Sequence, residues 1–210
     1  MKLYSYFRST AAYRVRIALN VKGLPYDYVP VNLLAGEQKS PGYLGRNPQG
    51  LVPALEMEDG ELLSQSVAIL EWLEETQPSP ALLPEDPLAR ARVRSLVNSI
   101  ACDIHPLNNV SVLNYLRGPL GADDQQVHQW YCTWVQRGFD AIERTLAAND
   151  SPCCFGEQPT LADVCLVPQV FNARRFSIPM KHYRHIRRVA DHCGSLQAFA
   201  RAHPNAQPDA

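Results

Sequence analysis

Phe7-Arg8-Ser9-Thr10-Ala11-Ala12-Tyr13-Arg14-Val15-Arg16-Ile17-Ala18-Leu19 decides how this chain folds. It follows a short apolar run at residues 3–6, and Val15, Ala18, Leu19 and Val21 recur at helical spacing until Gly23 stops the pattern. The stretch therefore predicts a strand over residues 2–6 and a helix over residues 11–22. Two hydroxyls, Ser9 and Thr10, stand where strand gives way to helix. Unpaired backbone N–H groups and the positive end of the helix dipole gather at such a point, which makes it a place to hold an anion.

The chain around it completes a small module. Residues 26–31 are β-branched and aromatic enough for a second strand, and residues 51–57 for a third, which turns through Glu58-Asp59-Gly60 into residues 61–63. A helix follows over residues 66–76, with Val67, Leu70 and Leu73 on one face, and Pro78 ends it. A parallel crossover followed by a hairpin gives a mixed sheet beneath helices, compatible with a thioredoxin-like module. Pro53 removes a ladder donor inside a strand-like run and marks an edge, a bulge or a cis bond. A cis bond there would turn the backbone of Val52 outward to meet a peptide-like ligand by strand-type hydrogen bonds. Gln65-Ser66 opens the next helix; an amide and a hydroxyl at a helix start suit a carboxylate that carries an amino group, although Ser66 serves equally well as a cap.

Prolines 78, 80, 84 and 87 form a stiff linker, the clearest boundary in the chain. It predicts two domains: an α/β N-terminal thioredoxin-like domain over residues 1–80 and an all-α C-terminal domain over residues 86–210. In the second, residues 88–116 predict a long helix bent at Pro106, and residues 123–148 another, with Trp130, Trp134 and Phe139 in its core. Thr160-Leu161-Ala162-Asp163 is a variant of the capping box, which makes Asp163 a structural residue rather than a catalytic one.

Composition sets outer limits. Of 210 residues, 46% are hydrophobic and 20% charged, which excludes disordered and fibrous classes. No apolar run is long enough for a membrane span and no apolar signal core follows a basic N-terminus, so a cytoplasmic location is expected. A net charge of -1 supplies no general field for nucleic acid, and Arg184, Arg187 and Arg188 read as a solvated helix face. Six cysteines show neither zinc-site spacing nor the density of a disulfide scaffold, so buried reduced thiols and no metal are expected.

Several motifs in order carry a resemblance over nearly the whole chain. They are residues 8–19, Asn47-Pro48-Gln49-Gly50-Leu51-Val52-Pro53-Ala54-Leu55, Gln65-Ser66, Ile104-His105-Pro106-Leu107-Asn108-Asn109, Thr160-Leu161-Ala162-Asp163 and Asn172-Ala173-Arg174-Arg175-Phe176. Together they resemble the zeta-class glutathione transferases, the class that includes maleylacetoacetate and maleylpyruvate isomerases. One departure is Ser9-Thr10-Ala11, where the class usually reads Ser-Ser-Cys. The resemblance implies glutathione as cofactor, with Ser9 on its thiolate and Thr10 in support. It implies Val52 beside a cis Pro53 on the cysteinyl backbone, Gln65 and Ser66 on the γ-glutamyl end, and Gln49, Asn108 and Asn109 as further glutathione contacts. Arg175 is implied as the binder of a substrate carboxylate, with Arg8 and His105 as further catalytic candidates. A small dicarboxylate substrate and a homodimer also follow from it.

The chemistry needs only a lowered thiol pKa. A thiol near pKa ~8.5 is mostly protonated at neutral pH, and a hydroxyl plus helix-start N–H donors bring it into the thiolate range. That thiolate can add to a cis double bond conjugated to a carbonyl, allow rotation, and leave. Ala11 removes any activity that needs the class cysteine but not isomerisation, whose nucleophile is glutathione. The expected activity is conversion of maleylacetoacetate to fumarylacetoacetate. Maleylpyruvate isomerisation and displacement on small α-halo acids are the alternatives within the class, and a non-catalytic binding protein is the alternative outside it. Val110-Ser111, where some maleylpyruvate isomerases place arginines after the Asn-Asn pair, favours maleylacetoacetate.

Overall fold

The computed structural model describes residues 1–210, and the chain divides into two compact units: Met1–Leu82 together with Gly194–Ala210, and Leu83–Cys193. In the first, strands β1 (Lys2–Ser5), β2 (Asp27–Pro30), β3 (Ala54–Glu56) and β4 (Leu62–Ser64) stand in the order β2-β1-β3-β4. β1 runs parallel to β2, with Leu3 opposite Tyr28, and antiparallel to β3, with Leu3 opposite Leu55. The sheet is mixed because helix α1 (Thr10–Val21) carries the chain back to a parallel neighbour, whereas the turn after β3 only reverses it. In that turn Asp59 Oδ1 accepts the Glu61 N–H at 3.1 Å, and Gly60 takes a φ of 88° that suits glycine. The third strand is shorter than residues 51–57 suggest. Its ladder begins at Ala54, since Pro53 has no N–H to donate.

One face of the sheet buries Tyr4, Tyr6, Val31, Tyr43, Val52 and Ala54, with Tyr43 on the short helix α2 (Pro41–Leu44). Alternate residues, Leu3, Ser5 and Leu55, turn to the other face, where α1 packs against α3 (Ser66–Thr76). α1 buries Val15, Ile17, Ala18 and Leu19 completely, and each large aliphatic side chain so enclosed contributes about 1.5–3 kcal/mol. At its end the enclosed Lys22 ammonium donates to Glu74 Oε2 (2.8 Å), Gln77 O (2.6 Å) and Pro80 O (3.1 Å). A buried ammonium is tolerable only with such partners, and these fasten α1 to the start of the proline linker.

The second unit is helical: α4 (Pro87–Asn98), a π-helical turn Ser99–Ile104, a 3-10 turn Pro106–Asn108, α5 (Val110–Arg117), α6 (Asp124–Leu146), α7 (Leu161–Arg175) and α8 (Arg184–Ser195). The single bent helix expected over residues 88–116 is instead broken. Pro106 lacks a ladder donor, and Asn109 starts a new helix by accepting the Ser111 N–H at 3.0 Å. α6 buries Val127, Tyr131, Val135, Phe139, Ile142 and Leu146 at helical spacing. Phe139 lies in the core as its pattern predicts. Trp130 and Trp134 are only half-buried, edge to face at 5.6 Å on the flank of the helix. No helix of the chain is long and apolar enough to cross a membrane.

The C-terminal stretch returns to the first unit. α9 (Gln197–Ala202) packs on α1, with Phe199 and Ala202 buried, although the linker boundary predicts one domain over residues 86–210. Two side chains of α1 hold it: Asn20 Nδ2 donates to Ala198 O and Arg16 Nε to Ala202 O, both at 3.0 Å.

Candidate active site

β1 ends at Ser5, and the chain makes a tight turn in which the Ser9 N–H donates to Tyr6 O at 2.9 Å. Ser9 is the N-cap of α1: its Oγ accepts the Ala12 N–H at 3.2 Å. The cap uses an oxygen lone pair, so the hydroxyl hydrogen remains available to an anion at the helix start. Thr10 is the first helical residue and is buried. Ser9 and Thr10 are thus not interchangeable. Arg8 is exposed beside Ser9, its guanidinium 4.8 Å from the Phe7 ring centre.

Register brings the other groups of the first unit to the same end of the sheet. Ala54 faces Tyr4 on one side and Ser64 on the other, so two residues back along β3, Val52 runs toward Tyr6 and Ser66. The Val52-Pro53 bond is cis, and Val52 stands outside the ladder. Tyr43 Oη and Asn47 Nδ2 donate to Leu51 O at 2.6 and 2.8 Å, which fixes the approach to Val52. Gly50 takes a φ of 61°, and a Cβ there would lie 3.0 Å from Gln38 O, so the bend needs glycine.

Gln65 holds a φ of 70° at the N-cap of α3 and makes no side-chain cap bond. A non-glycine residue in that region costs about 1–3 kcal/mol and marks functional sites. Its amide donates to Gln49 Oε1 at 2.8 Å, which couples the two glutamines at the protein surface. Ser66 is not a cap. It is the first residue of α3, buried, and its Oγ accepts from Arg14 Nη1 at 3.1 Å.

Arg14 and Arg16 belong to this site's scaffold and carry no role in the sequence reading. Both are buried, Arg14 beside Ser66 and Arg16 under the turn, where its guanidinium donates to Ser5 Oγ (3.0 Å) and Phe7 O (3.0 Å). The signal was present. Residues two apart on a helix point to nearly opposite sides, so Arg14 and Arg16 cannot share one solvent face.

The remaining predicted residues lie in the second unit. His105 joins the π-helical turn to the 3-10 turn and is half-buried; its N–H donates to Ile100 O at 2.9 Å. Asn108 donates from Nδ2 to Ile104 O at 3.2 Å, and its buried Oδ1 has no partner in the chain. Asn109 is committed to its cap, accepting from both Ser111 N and Ser111 Oγ. Arg175 is exposed in the last turn of α7, 4.7 Å from the Phe176 ring centre, and Phe176 stacks on Tyr131 at 3.8 Å.

Asp163 is structural, as its spacing predicts. Its carboxylate is enclosed and accepts from Thr160 N (2.7 Å), Thr160 Oγ1 (2.9 Å) and Cys154 N (2.7 Å), completing a capping box on α7. Cys153 and Cys193 lie beside it with sulfurs 3.8 Å apart. A hydrogen bond that the Cys193 S–H donates to the Cys153 sulfur, burial and the Asp163 charge push the Cys193 thiol far up; burial and then Asp163 do the same to Cys154. The Cys154 and Cys193 thiols stay protonated at neutral pH and supply no nucleophile.

A mixed four-stranded sheet with a capping hydroxyl at the first helix start, a cis-proline edge and a second helix start beside it, joined to a helical unit, defines a protein of the glutathione transferase type. The family model for the glutathione S-transferase N-terminal domain matches residues 8–76. A maleylacetoacetate isomerase of Pseudomonas aeruginosa is 54% identical over 100% of this chain and 98% of its own length. A solved holo structure of a maleyl pyruvate isomerase, described as a bacterial zeta-class glutathione S-transferase, superposes with a TM-score of 0.97 at 50% identity, covering 100% of both chains. A maleylacetoacetate isomerase of Methylobacterium extorquens, solved with malonate and glutathione bound, gives a TM-score of 0.96 at 41% identity over 100% of this chain and 99% of that one. The chain belongs to the maleylacetoacetate isomerase family of zeta-class glutathione transferases.

Proposed function

We propose that the protein is a glutathione-dependent isomerase that converts maleylacetoacetate to fumarylacetoacetate. The observation that carries the reading is Ser9, whose oxygen is occupied by the Ala12 N–H while its hydrogen stays available at the positive end of α1. The donor set of the first unit suits a γ-glutamyl tripeptide. Ser9 and the helix-start amides meet a thiolate, Val52 offers backbone outside the ladder, and Gln65, Ser66 and Gln49 offer amide and hydroxyl groups to an amino acid end. Asn108 and Asn109 are further contacts in this reading, with the orphaned Asn108 Oδ1 the more available of the two.

Glutathione, when bound, supplies a thiolate that adds to the conjugated cis double bond and leaves it as trans, itself unaltered. The residues have separate tasks. Ser9 donates to the sulfur and, with the α1 dipole, favours its anionic form; Thr10 keeps the helix start in place. Arg8 and Arg175 hold the substrate carboxylates. His105 donates toward the carbonyl oxygen on which negative charge develops, the place where a fixed donor lowers the barrier most. The homodimer and cytoplasmic location expected from the family resemblance and the sequence go with this reading, and sedimentation tests the first.

Val110, directly after Asn109, is apolar and exposed, which favours maleylacetoacetate over maleylpyruvate. The test is turnover of each with glutathione, following the fumaryl product. Faster conversion of maleylacetoacetate, and none without glutathione, is expected. Faster conversion of maleylpyruvate overturns the substrate assignment, and no isomerisation of either overturns the function.

A further inference from the structure

The turn that delivers Ser9 is gripped from two sides by groups outside it. The Phe7 N–H donates to Asp209 Oδ2 at 3.1 Å, and the Phe7 carbonyl accepts from Arg16 Nη2 at 3.0 Å. The other oxygen of the same carboxylate, Asp209 Oδ1, accepts from Tyr28 Oη at 2.6 Å, so its orientation is fixed from β2. The segment that carries Asp209 is itself anchored. Arg16 and Asn20 hold α9, and Gln207 Nε2 donates to Arg201 O and His203 O, both at 2.9 Å. Asp209 is half-buried, and the peptide it meets lies two residues before Ser9.

From this juxtaposition we propose that Asp209 is a positioning residue for the thiolate site: the C-terminal stretch clamps the Tyr6-to-Ser9 turn so that Ser9 caps α1 and aims its hydroxyl. The inference rests on the role of Ser9 stated above and adds a device that role requires. In this turn the Phe7 amide and carbonyl are both held by side chains. Removing the carboxylate leaves the Phe7 N–H without its acceptor, and Tyr28 without a charged partner. The turn then loses its tie to the C-terminal stretch and keeps those to Arg16 and within itself, such as the Ser9-to-Tyr6 bond. Ser9 Oγ spreads over more positions, and its hydrogen bond to a thiolate weakens even though Ser9 is still present.

Asp209→Ala and Asp209→Asn separate this role from a general contribution to stability. An asparagine can still accept the Phe7 N–H with its oxygen and donate to Tyr28 Oη with its nitrogen, so it restores the clamp without the charge. Two measurements are made on each variant. Hydrogen–deuterium exchange over residues 6–10, on protein without glutathione, should speed up on the order of tenfold in Asp209→Ala and stay near the parent in Asp209→Asn. The thiol pKa of bound glutathione, read by thiolate absorbance, should rise by about one unit in Asp209→Ala and return in Asp209→Asn.

If Asp209→Ala leaves exchange over residues 6–10 and the thiol pKa unchanged, whatever it does to the melting temperature, the proposal is overturned. Faster exchange with an unaltered thiol pKa overturns it as well, since the clamp then has no bearing on the site. The parent protein decides the underlying reading independently. If it does not depress the thiol pKa of glutathione at all, the Ser9 assignment fails, while the exchange measurement still decides whether Asp209 orders the turn.

Discussion

Replacing Arg16 with methionine should destabilise the first unit by about 4 kcal/mol, because one enclosed guanidinium serves three separate segments. Arg16 is 0% exposed and donates to Ser5 Oγ on β1, Phe7 O in the turn and Ala202 O at the end of α9, all at 3.0 Å. A hydrogen bond from a charged donor is worth roughly 1.5–3 kcal/mol net, and three of them do not add fully. The methionine leaves two carbonyls and a hydroxyl without that donor, at roughly 1–3 kcal/mol for each that stays buried and unsatisfied, partly offset by no longer enclosing a charge. For a chain of this length that predicts a fall in melting temperature of roughly 10 °C. Arg16→Lys keeps the charge but not the planar fork, and its single ammonium cannot reach all three acceptors, so it should recover less than half of the loss. Melting followed by far-ultraviolet circular dichroism measures both. Carboxypeptidase trimming of the C-terminal stretch should also quicken in Arg16→Met. A fall of less than about 3 °C with unaltered trimming would refute the reasoning.

Asp163→Ala should cost about 3 kcal/mol by stripping the start of α7 of its cap and leaving the Cys154 N–H unsatisfied, whereas Asp163→Asn should recover part; urea midpoints at equal slopes distinguish them. Glu56 accepts from Lys2 Nζ, Tyr4 Oη and Arg46 Nη1, and the Lys2 and Tyr4 bonds hold its carboxyl below the usual range. With the folded-state pKa depressed, its contribution is complete above about pH 4.5 and is lost as pH falls through the lower folded value. Glu56→Gln should therefore flatten the acid limb of a melting-temperature profile and leave its slope near neutrality unchanged. Arg175→Ala should raise KM for the dicarboxylate on the order of tenfold while glutathione affinity, measured by calorimetry, holds. An equal loss of both would remove Arg175 from the substrate's side of the reaction.

Local patterns in the chain predict those parts of the fold that local physics determines. The Asp59-Gly60 turn, the helix stop at Gly23 and the capping box at Thr160 and Asp163 each follow from a few adjacent residues, and each stands where its spacing predicts. The break at Pro106 is a different case. A proline inside an apolar periodic run reads equally well as a bend or a stop, and the decision falls to Asn109, whose cap starts a second helix. Residues 194–210 follow the helical unit in sequence, and the buried Phe199 and Ala202, the two α1 donors and the bonds of Phe7 and Tyr28 to Asp209 draw them onto the first, none of which a local pattern shows.

The site divides in the same way. Ser9, Val52-Pro53 and Gln65-Ser66 are legible because each lies at a strand end or helix start, where backbone groups are exposed to ligands. Arg14 and Arg16 are less so. A helix in a sequence shows its spacing but not which side meets the sheet, and a buried guanidinium makes sense only once Ser66, Ser5 and Ala202 surround it. Asp209 is 202 residues from Phe7, and no local pattern could pair them.

The central claim is that Ser9 lowers the pKa of a thiol held at the start of α1, and titration of glutathione bound to two variants tests it most directly. Ser9→Ala removes both the cap and the donor, while Ser9→Asp restores a cap acceptor for the Ala12 N–H but has no hydrogen to donate at neutral pH. The account predicts that the thiol pKa rises by about 1–2 units in both variants, while the melting temperature recovers in Ser9→Asp alone. A thiol pKa unchanged by Ser9→Ala would contradict it.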